Sequence, residues 1–276
     1  YDLYMALKSS SQLKRDKESR KIFFSNGSAV AENTILTRED LAQTLEKIAA
    51  EGKKGFYEGE VAQKIVAAMH SSGGFISLED LKDYKPRFSE PIRTAYRGHP
   101  IFAPRPPSGG AIVVLDALNI LENFDLARYT SNSTVTYHLL AEALRRGHMD
   151  RSRHIGDPNF YDVPVKSIIS KKRARELAKT ISFKSASSYK SMSPDDFLEE
   201  SKDTTHYSIV DEDGNAVSNT YTLGYSFGSG VTIPGTGVLM NNHMNNFAYR
   251  YGDKSIRGRT ASPANKFDSG KRPMST

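Results

Sequence analysis

At residue 204 the hydrophobic pattern of this chain changes period. Before that point apolar residues recur at helical spacing: Leu41, Leu45 and Ile48, then Val61, Ile65, Ala68 and Met69, then Leu139, Leu140, Ala143 and Leu144. After it, "HYSIVD" and "NAVSNTYTL" are two β-rich runs around Glu212, Asp213 and Gly214, which predicts an antiparallel hairpin. Between the two regimes, residues 182–203 are rich in Ser, Lys and Asp and have the composition of a flexible linker. A mostly helical section therefore feeds through a polar linker into a β section that opens with Thr204 and Thr205.

Local signals refine this outline. The first 25 residues, rich in Lys and Ser, read as loop. Thr37 to Asp40 has the form of a capping box at a helix start, and Ser77 with Asp80 repeats it. Gly73 and Gly74 close the helix that carries Val61 and Ile65. "TAYRGHPIFAPRPPSGG" reads as a hairpin-like strand pair running into a Pro/Gly turn at 104–110. "AIVVLDALNILENF" is apolar and long enough for a buried helix entered through Ser108. "SKKRARELAKTI" is a helix with a basic outer face, and "GVLMNN" a short strand.

Composition excludes several classes. With 276 residues the chain can bury a sizeable core, and 38% apolar against 25% charged residues is globular rather than disordered. There is no Cys, so disulfides, thiolate chemistry and Cys-based zinc sites are ruled out. The net charge of +6 divides into +4 before Thr204 and +2 after it, a thin, spread excess unlike a nucleic-acid-binding stripe. No apolar run approaches the roughly 18 residues of a membrane span. The seven His residues show no HExxH-like pairing, which gives no reason to expect a metal. "RPPSGG" lacks the GK[ST] of a phosphate loop, and "KKRAR" reads as a solvated helix face. The chain opens at "YDLYMALKSS" without Met and stops at "KRPMST", which reads as a fragment cut at both ends.

Thr204 raises a chemical question. Taken by spacing alone, a Thr pair merely begins a strand, as β-branched residues often do. A Thr hydroxyl becomes a good nucleophile when a base sits beside it, and one such base is the residue's own α-amine, with a reference pKa of roughly 7.7–8.0. That amine is free only if the bond from Asp203 to Thr204 is cut. Attack of the Thr204 hydroxyl on the Asp203 carbonyl, followed by hydrolysis of the ester, would cut it. His206, two residues on, shares the strand face of Thr204, but with the α-amine as base it needs only a structural role.

Further stretches give a resemblance. "GGFISLEDLKDY", "YRGHPIFAPRPPSGG", "LNILENFDL" and "DRSRHIGDPNF" are followed by "TTHYSIVDEDGNAVSNTYTL", "FGSGV", "VLMNNHMNNF" and "GKRPMST". In this order and spacing the chain resembles the gamma-glutamyltransferases (gamma-glutamyltranspeptidases) among the N-terminal-nucleophile hydrolases, from about Phe56 to its last residue. The resemblance implies an α+β fold, a four-layer αββα sandwich, here incomplete. Residues 1–203 would be the later part of a large subunit and 204–276 the start of a small subunit, the two forming a heterodimer after cleavage between Asp203 and Thr204. It implies acyl transfer from a γ-glutamyl donor such as glutathione to water or to an amino-acid or peptide amine. No cofactor, metal or nucleic acid is implied. By the same resemblance the compartment would be periplasmic, secreted or extracellular and membrane-anchored, with no signal or anchor in this stretch.

Residue by residue, the resemblance makes Thr204 the nucleophile and Thr222 the hydroxyl that supports it. It places Ser275 and Thr276 on the substrate α-carboxylate. It also marks departures. Where the family usually has Asn, this chain has Gly224; where it has Gln or Glu, His243; and where it has Asp, Asn246. The last two positions normally grip the substrate α-ammonium. Neutral Asn246 cannot make the charge-assisted bond of a carboxylate, and a protonated His243 would repel the cation. A glutaryl-type amide, lacking the amine, is therefore a competing substrate, as for a cephalosporin acylase-like amidase. The family's carboxylate-binding Arg would lie upstream of Tyr1 and its oxyanion Gly-Gly pair downstream of Thr276. As given, the stretch is expected to be inactive, and a non-catalytic homologue or remnant is a further alternative.

Overall fold

The computed structural model describes residues 1–187, 204–248 and 262–275. Helices and antiparallel hairpins are mixed along it, an α+β composition. Its contacts divide it into two compact units: residues 1–87 with 204–242, and residues 88–187 with 243–248 and 262–275.

In the first unit the expected N-terminal loop is instead three short helices, α1 (Asp2–Ser9), α2 (Ser11–Arg15) and α3 (Lys17–Phe23). Two of the polar residues in this stretch are caps. Ser10 accepts from the Leu13 amide at 3.3 Å and Asp16 from the Ser19 amide at 2.7 Å. Leu7, Leu13 and Phe23 are buried in one cluster with Phe227 and Leu239, which supplies the packing that such short helices lack alone. Two-residue strands β1 (Phe24–Ser25) and β2 (Ser28–Ala29) follow.

Helix α4 (Glu39–Glu51) starts after Arg38, with no side-chain cap, so the capping box expected from Thr37 does not form. Arg38 is held elsewhere: its Nη2 donates to the Gly237 carbonyl at 2.6 Å and its guanidinium lies 5.2 Å from the centre of the Phe23 ring. After α5 (Lys54–Tyr57), α6 (Gly59–Ser71) buries Val61 and Ile65 against Ile233. Helix α7 (Leu78–Asp83) carries the expected capping box of Ser77 and Asp80.

The second unit begins with β3 (Ile92–Tyr96) and β4 (His99–Ala103), antiparallel around Arg97 and Gly98. Both turn residues have positive φ, the geometry of a tight two-residue hairpin. Helix α8 (Gly109–Leu121) is the centre of this unit. Its Ala117, Ile120 and Leu121 pack with Leu139 and Ala143 of α9 (Thr134–His154) and with Ala174 and Ala178 of α11 (Lys171–Lys179). Its other face, Ile112 and Leu115, packs with Ile92, Ile155, Met274 and with Ile168 of α10 (Val165–Ile168). Gly147 of α9 allows the approach to α8, since a β-carbon there would lie 2.9 Å from the Val113 carbonyl oxygen.

Charges are buried between these helices. Arg173 of α11 reaches Asp150 of α9 at 2.7 Å and Asp116 of α8 at 3.5 Å, and Asp116 is fully buried. Burial, then the neighbouring Asp150 charge, pushes the Asp116 carboxyl up to about 7, while Arg173 and Arg146 pull the other way. An unfolded Asp titrates near ~4. A raised folded value means that the stability linked to this group is complete below that pH and is lost as pH rises through about 7. Asp116→Asn in the full-length protein is therefore expected to unfold at higher temperature than the parent at pH 8.5, by on the order of 2–4 °C per kcal/mol regained, and at the parent's temperature only near pH ~3, below the unfolded value. Thermal unfolding at the two pH values checks this.

The chain then returns to the first unit as β5 (Thr205–Val210) and β6 (Ala216–Tyr221). They pair antiparallel from Thr205 opposite Tyr221 to Val210 opposite Ala216, as the Asp-Gly signal predicts. "GVLMNN" forms no strand. Gly235 and Gly237 turn the chain with positive φ, and only an isolated bridge joins Leu239 to Thr232.

Candidate active site

The hairpin register places Thr204 beside Thr222. Thr205 and Tyr221 are directly opposed, so the next positions outward face each other at the open end of the hairpin. The Thr204 hydroxyl donates to Thr222 Oγ1 at 3.4 Å. The same Oγ1 accepts from the Gly224 amide at 2.9 Å, which fixes its direction. A cavity of about 280 Å³ opens here, lined by Thr204, Thr222, Tyr221, Leu223 and Tyr225. An exposed hydroxyl, a second hydroxyl bonded to it and an adjacent cavity are three of the parts an acyl-accepting nucleophile needs; the fourth is a base.

Gly224 has φ +97, strained for any residue with a side chain. A β-carbon on it would lie 2.1 Å from Asn242 Oδ1. That oxygen accepts from the Tyr225 amide at 2.9 Å, and the Asn242 amide donates to the Leu223 carbonyl at 2.9 Å. His206 is held across the hairpin, with Nδ1 2.7 Å from Thr220 Oγ1 and Nε2 3.2 Å from Ser218 Oγ. Both ring nitrogens are occupied by strand hydroxyls, which is a structural role.

The remaining candidates belong to the second unit and are described within it. His243 and Asn246 share one turn of 3₁₀ helix, His243–Asn246, with Asn246 Nδ2 and His243 Nδ1 3.3 Å apart. Asn246 is buried; its backbone carbonyl accepts from Asn265 Nδ2 at 2.6 Å, and its side-chain oxygen has no hydrogen-bond partner among the described residues. Ser275 bridges in parallel to Ser108: its amide donates to the Pro107 carbonyl at 3.1 Å and its carbonyl accepts from the Gly109 amide at 2.7 Å. Thr276 and Asp203 lie outside the described residues. The structure thus brings Thr204, Thr222 and Gly224 together in one unit, and His243 with Asn246 in the other.

The segment leading to Ser275 is anchored by residues that sequence reasoning did not single out. Asp157, fully buried, accepts from the Arg272 amide, Nε and Nη2, each at 3.0 Å. Asn265 Oδ1 accepts from the Met274 amide at 2.9 Å. Burial alone would raise the Asp157 carboxyl, but the bonds from Arg272 and from the Asn159 amide outweigh it and hold it at about 2. Asp157 stands in "GDPNF" and Arg272 in "GKRPMST", so both motifs were visible and only their pairing was hidden.

Residues 2–276 match the sequence profile described as Gamma-glutamyltranspeptidase. The chain belongs to the gamma-glutamyltranspeptidase family. The match reaches upstream of Phe56, where the visible motifs began, to include the three N-terminal helices. Among curated members of the family it is similar to the "Glutathione hydrolase proenzyme" of Escherichia coli, 38% identical over 265 residues, 96% of this chain and 46% of that protein. Among solved structures it is similar to the gamma-glutamyltranspeptidase of Helicobacter pylori, with a TM-score of 0.66 at 33% identity over 70% of this chain and 56% of that one. It is also similar to the cephalosporin acylase of Bacillus halodurans, with a TM-score of 0.76 at 29% identity over 100% of this chain and 47% of that one. The chain spans about half the length of the curated gamma-glutamyltranspeptidase relatives it matches.

Proposed function

We propose that the full-length protein is a γ-glutamyl acyl transferase and hydrolase with an N-terminal Thr nucleophile, folded as a four-layer αββα sandwich. The observation that carries this reading is the contact of the Thr204 hydroxyl with Thr222 at the open end of β5–β6. The precursor cuts itself between Asp203 and Thr204: Thr204 Oγ1 attacks the Asp203 carbonyl, the C–N bond breaks to give an ester, and water opens it. Residues up to 203 then form part of a large subunit, and Thr204 heads the small one. In turnover the Thr204 α-amine takes the hydroxyl proton as Oγ1 attacks the γ-glutamyl carbonyl. The leaving amine departs protonated, and water or an acceptor amine resolves the ester. The similarity to proteins named glutathione hydrolase supports glutathione as donor. The family resemblance assigns the substrate carboxylate to Ser275 and Thr276 and its α-substituent to the positions of His243 and Asn246. By family likeness the protein works in the periplasm or outside the cell.

A second reading, a glutaryl-type amidase, is favoured by two observations. No side chain projects from Gly224, and the buried residue at 246 is neutral Asn. The likeness to a cephalosporin acylase points the same way. The test uses the full-length protein: intact mass and N-terminal sequencing, then hydrolysis of γ-glutamyl and glutaryl anilides. A small subunit beginning Thr-Thr-His-Tyr and a preference of more than about tenfold for the γ-glutamyl compound, roughly 1.4 kcal/mol, is the expected result. A reversed preference replaces the first reading by the second. An uncut, inert chain leaves a non-catalytic homologue.

A further inference from the structure

We infer that Asn242 is a positioning residue for the nucleophile, holding the Thr222 hydroxyl on Thr204 by clamping the turn at residues 223–225. The inference rests on the reading of Thr204 as nucleophile. It comes from a run of hydrogen bonds within one unit. Asn242 grips the turn from both sides: its backbone N–H donates to the Leu223 carbonyl, a bond every variant keeps, and its side-chain Oδ1 accepts from the Tyr225 amide, each at 2.9 Å. Between these two points lies Gly224, buried, whose own amide donates to Thr222 Oγ1 at 2.9 Å. Thr222 Oγ1 in turn receives the Thr204 hydroxyl.

The turn needs such a clamp. Gly224 sits at φ +97, where glycine has ample freedom to leave, and no strand ladder extends past Tyr221 to hold it. The Asn242 carboxamide occupies the space beside Gly224 Cα, so the backbone cannot relax into it. An acceptor at this point fixes the peptide planes on both sides of Gly224. The direction of the Gly224 N–H follows, and with it the orientation of the Thr222 hydroxyl. Asn242 touches neither substrate nor reacting atoms in this scheme; it acts through Thr222.

The experiment compares Asn242→Ala, Asn242→Asp and Asn242→Gln with the parent full-length protein. It measures the rate of self-cleavage by intact mass, and kcat and KM on a γ-glutamyl anilide. Removing the acceptor is expected to slow self-cleavage and lower kcat about 10–100-fold, the usual loss on misplacing a reacting group by about 1 Å, with KM within about threefold. Asn242→Asp, which keeps an acceptor for the Tyr225 amide, is expected to recover both rates to within about threefold of the parent. Asn242→Gln keeps the amide but displaces it by one methylene; it is expected to lose kcat as Ala does, and it stands in should the Ala variant not fold. A parent that is active while Asn242→Ala matches it overturns the inference. So does a folded Asn242→Asp as slow as Asn242→Ala, or a loss that falls on KM. A parent that neither cuts itself nor turns over instead refutes the nucleophile reading, and this inference with it.

Discussion

Thr204→Ala is expected to leave the precursor as one chain and to lower hydrolysis of γ-glutamyl anilides by at least about 10⁴-fold, the scale on which removal of a covalent nucleophile is felt. Two losses combine. Without the hydroxyl nothing attacks the Asp203 carbonyl, so no α-amine is released, and without the amine no base remains at that position. The structure narrows the cause of such a loss. Thr204 is exposed just ahead of β5, and among the described residues its hydroxyl bonds Thr222, so truncation removes little packing. The folded state should survive, with an unfolding temperature within about 2 °C of the parent, because exposed substitutions away from special features stay within roughly ±0.5 kcal/mol. Thr204→Ser separates chemistry from shape: it keeps the hydroxyl and the amine, and should both cleave and turn over, more slowly. Intact mass over several hours at neutral pH, with anilide hydrolysis on the same samples, reads both variants. An uncut Thr204→Ala chain that still hydrolyses substrate would place the nucleophile elsewhere.

The second large effect is expected at Asp157. Its fully buried carboxylate holds three Arg272 donors, two from the guanidinium fork and one from the backbone. Asp157→Ala removes the acceptor and frees the 272–275 segment from its firmest attachment, leaving Met274 on Asn265 and Ser275 on Pro107 and Gly109. Breaking such a pair by deleting one partner costs about 3–5 kcal/mol when both are buried; Arg272 reaches solvent in part, so about 3 kcal/mol is the better expectation. The sign with pH follows from the carboxyl held at about 2. An unfolded Asp titrates near ~4, so the stabilisation is present above that value and is lost as pH falls through about 2. Asp157→Asn should therefore flatten the acid limb of the stability curve. If Ser275 binds the substrate carboxylate, KM should rise more than kcat falls. Denaturant unfolding at pH 7 and pH 3, with kinetics at pH 7, checks both parts. A KM unchanged in a folded Asp157→Asn would detach this anchor from substrate binding.

Much of this was legible in the residues. The apolar run of α8, the stretch "TAYRGHPIFAPRPPSGG" and the turn at Asp213 and Gly214 announced a buried helix and two hairpins, because each signal is local and acts through backbone geometry. Thr222 could be placed beside Thr204 for the same reason: hairpin register is set within a few residues of the turn. What failed was the weighing of polar residues. Ser10 and Asp16 belong equally to loops and to helix caps, and the choice was made by burial of Leu7, Leu13 and Phe23 against residues more than two hundred positions away. Helix α4 likewise begins after Arg38 rather than at Thr37, and the Arg38 guanidinium is bonded to Gly237, 199 positions along. Asp157 and Arg272 are separated by 115 positions, and Asn242 meets the turn across 17, distances over which one sequence carries no pairing information.

The length of the β5–β6 hairpin also bears on where this protein can be altered. Six cross-strand pairs separate the Asp211–Asn215 tip from the two hydroxyls, roughly 20 Å at about 3.4 Å per residue. A reporter group or a short inserted peptide at the tip would be remote from Thr204 and Thr222 and bounded by the Asp211 and Asn215 bonds that close the loop. Deleting one residue from either strand is another matter. It would turn every subsequent side chain to the opposite face and carry Thr222 away from Thr204. The tip is thus a handle for labelling, and the strands are a ruler that cannot be shortened by a single division.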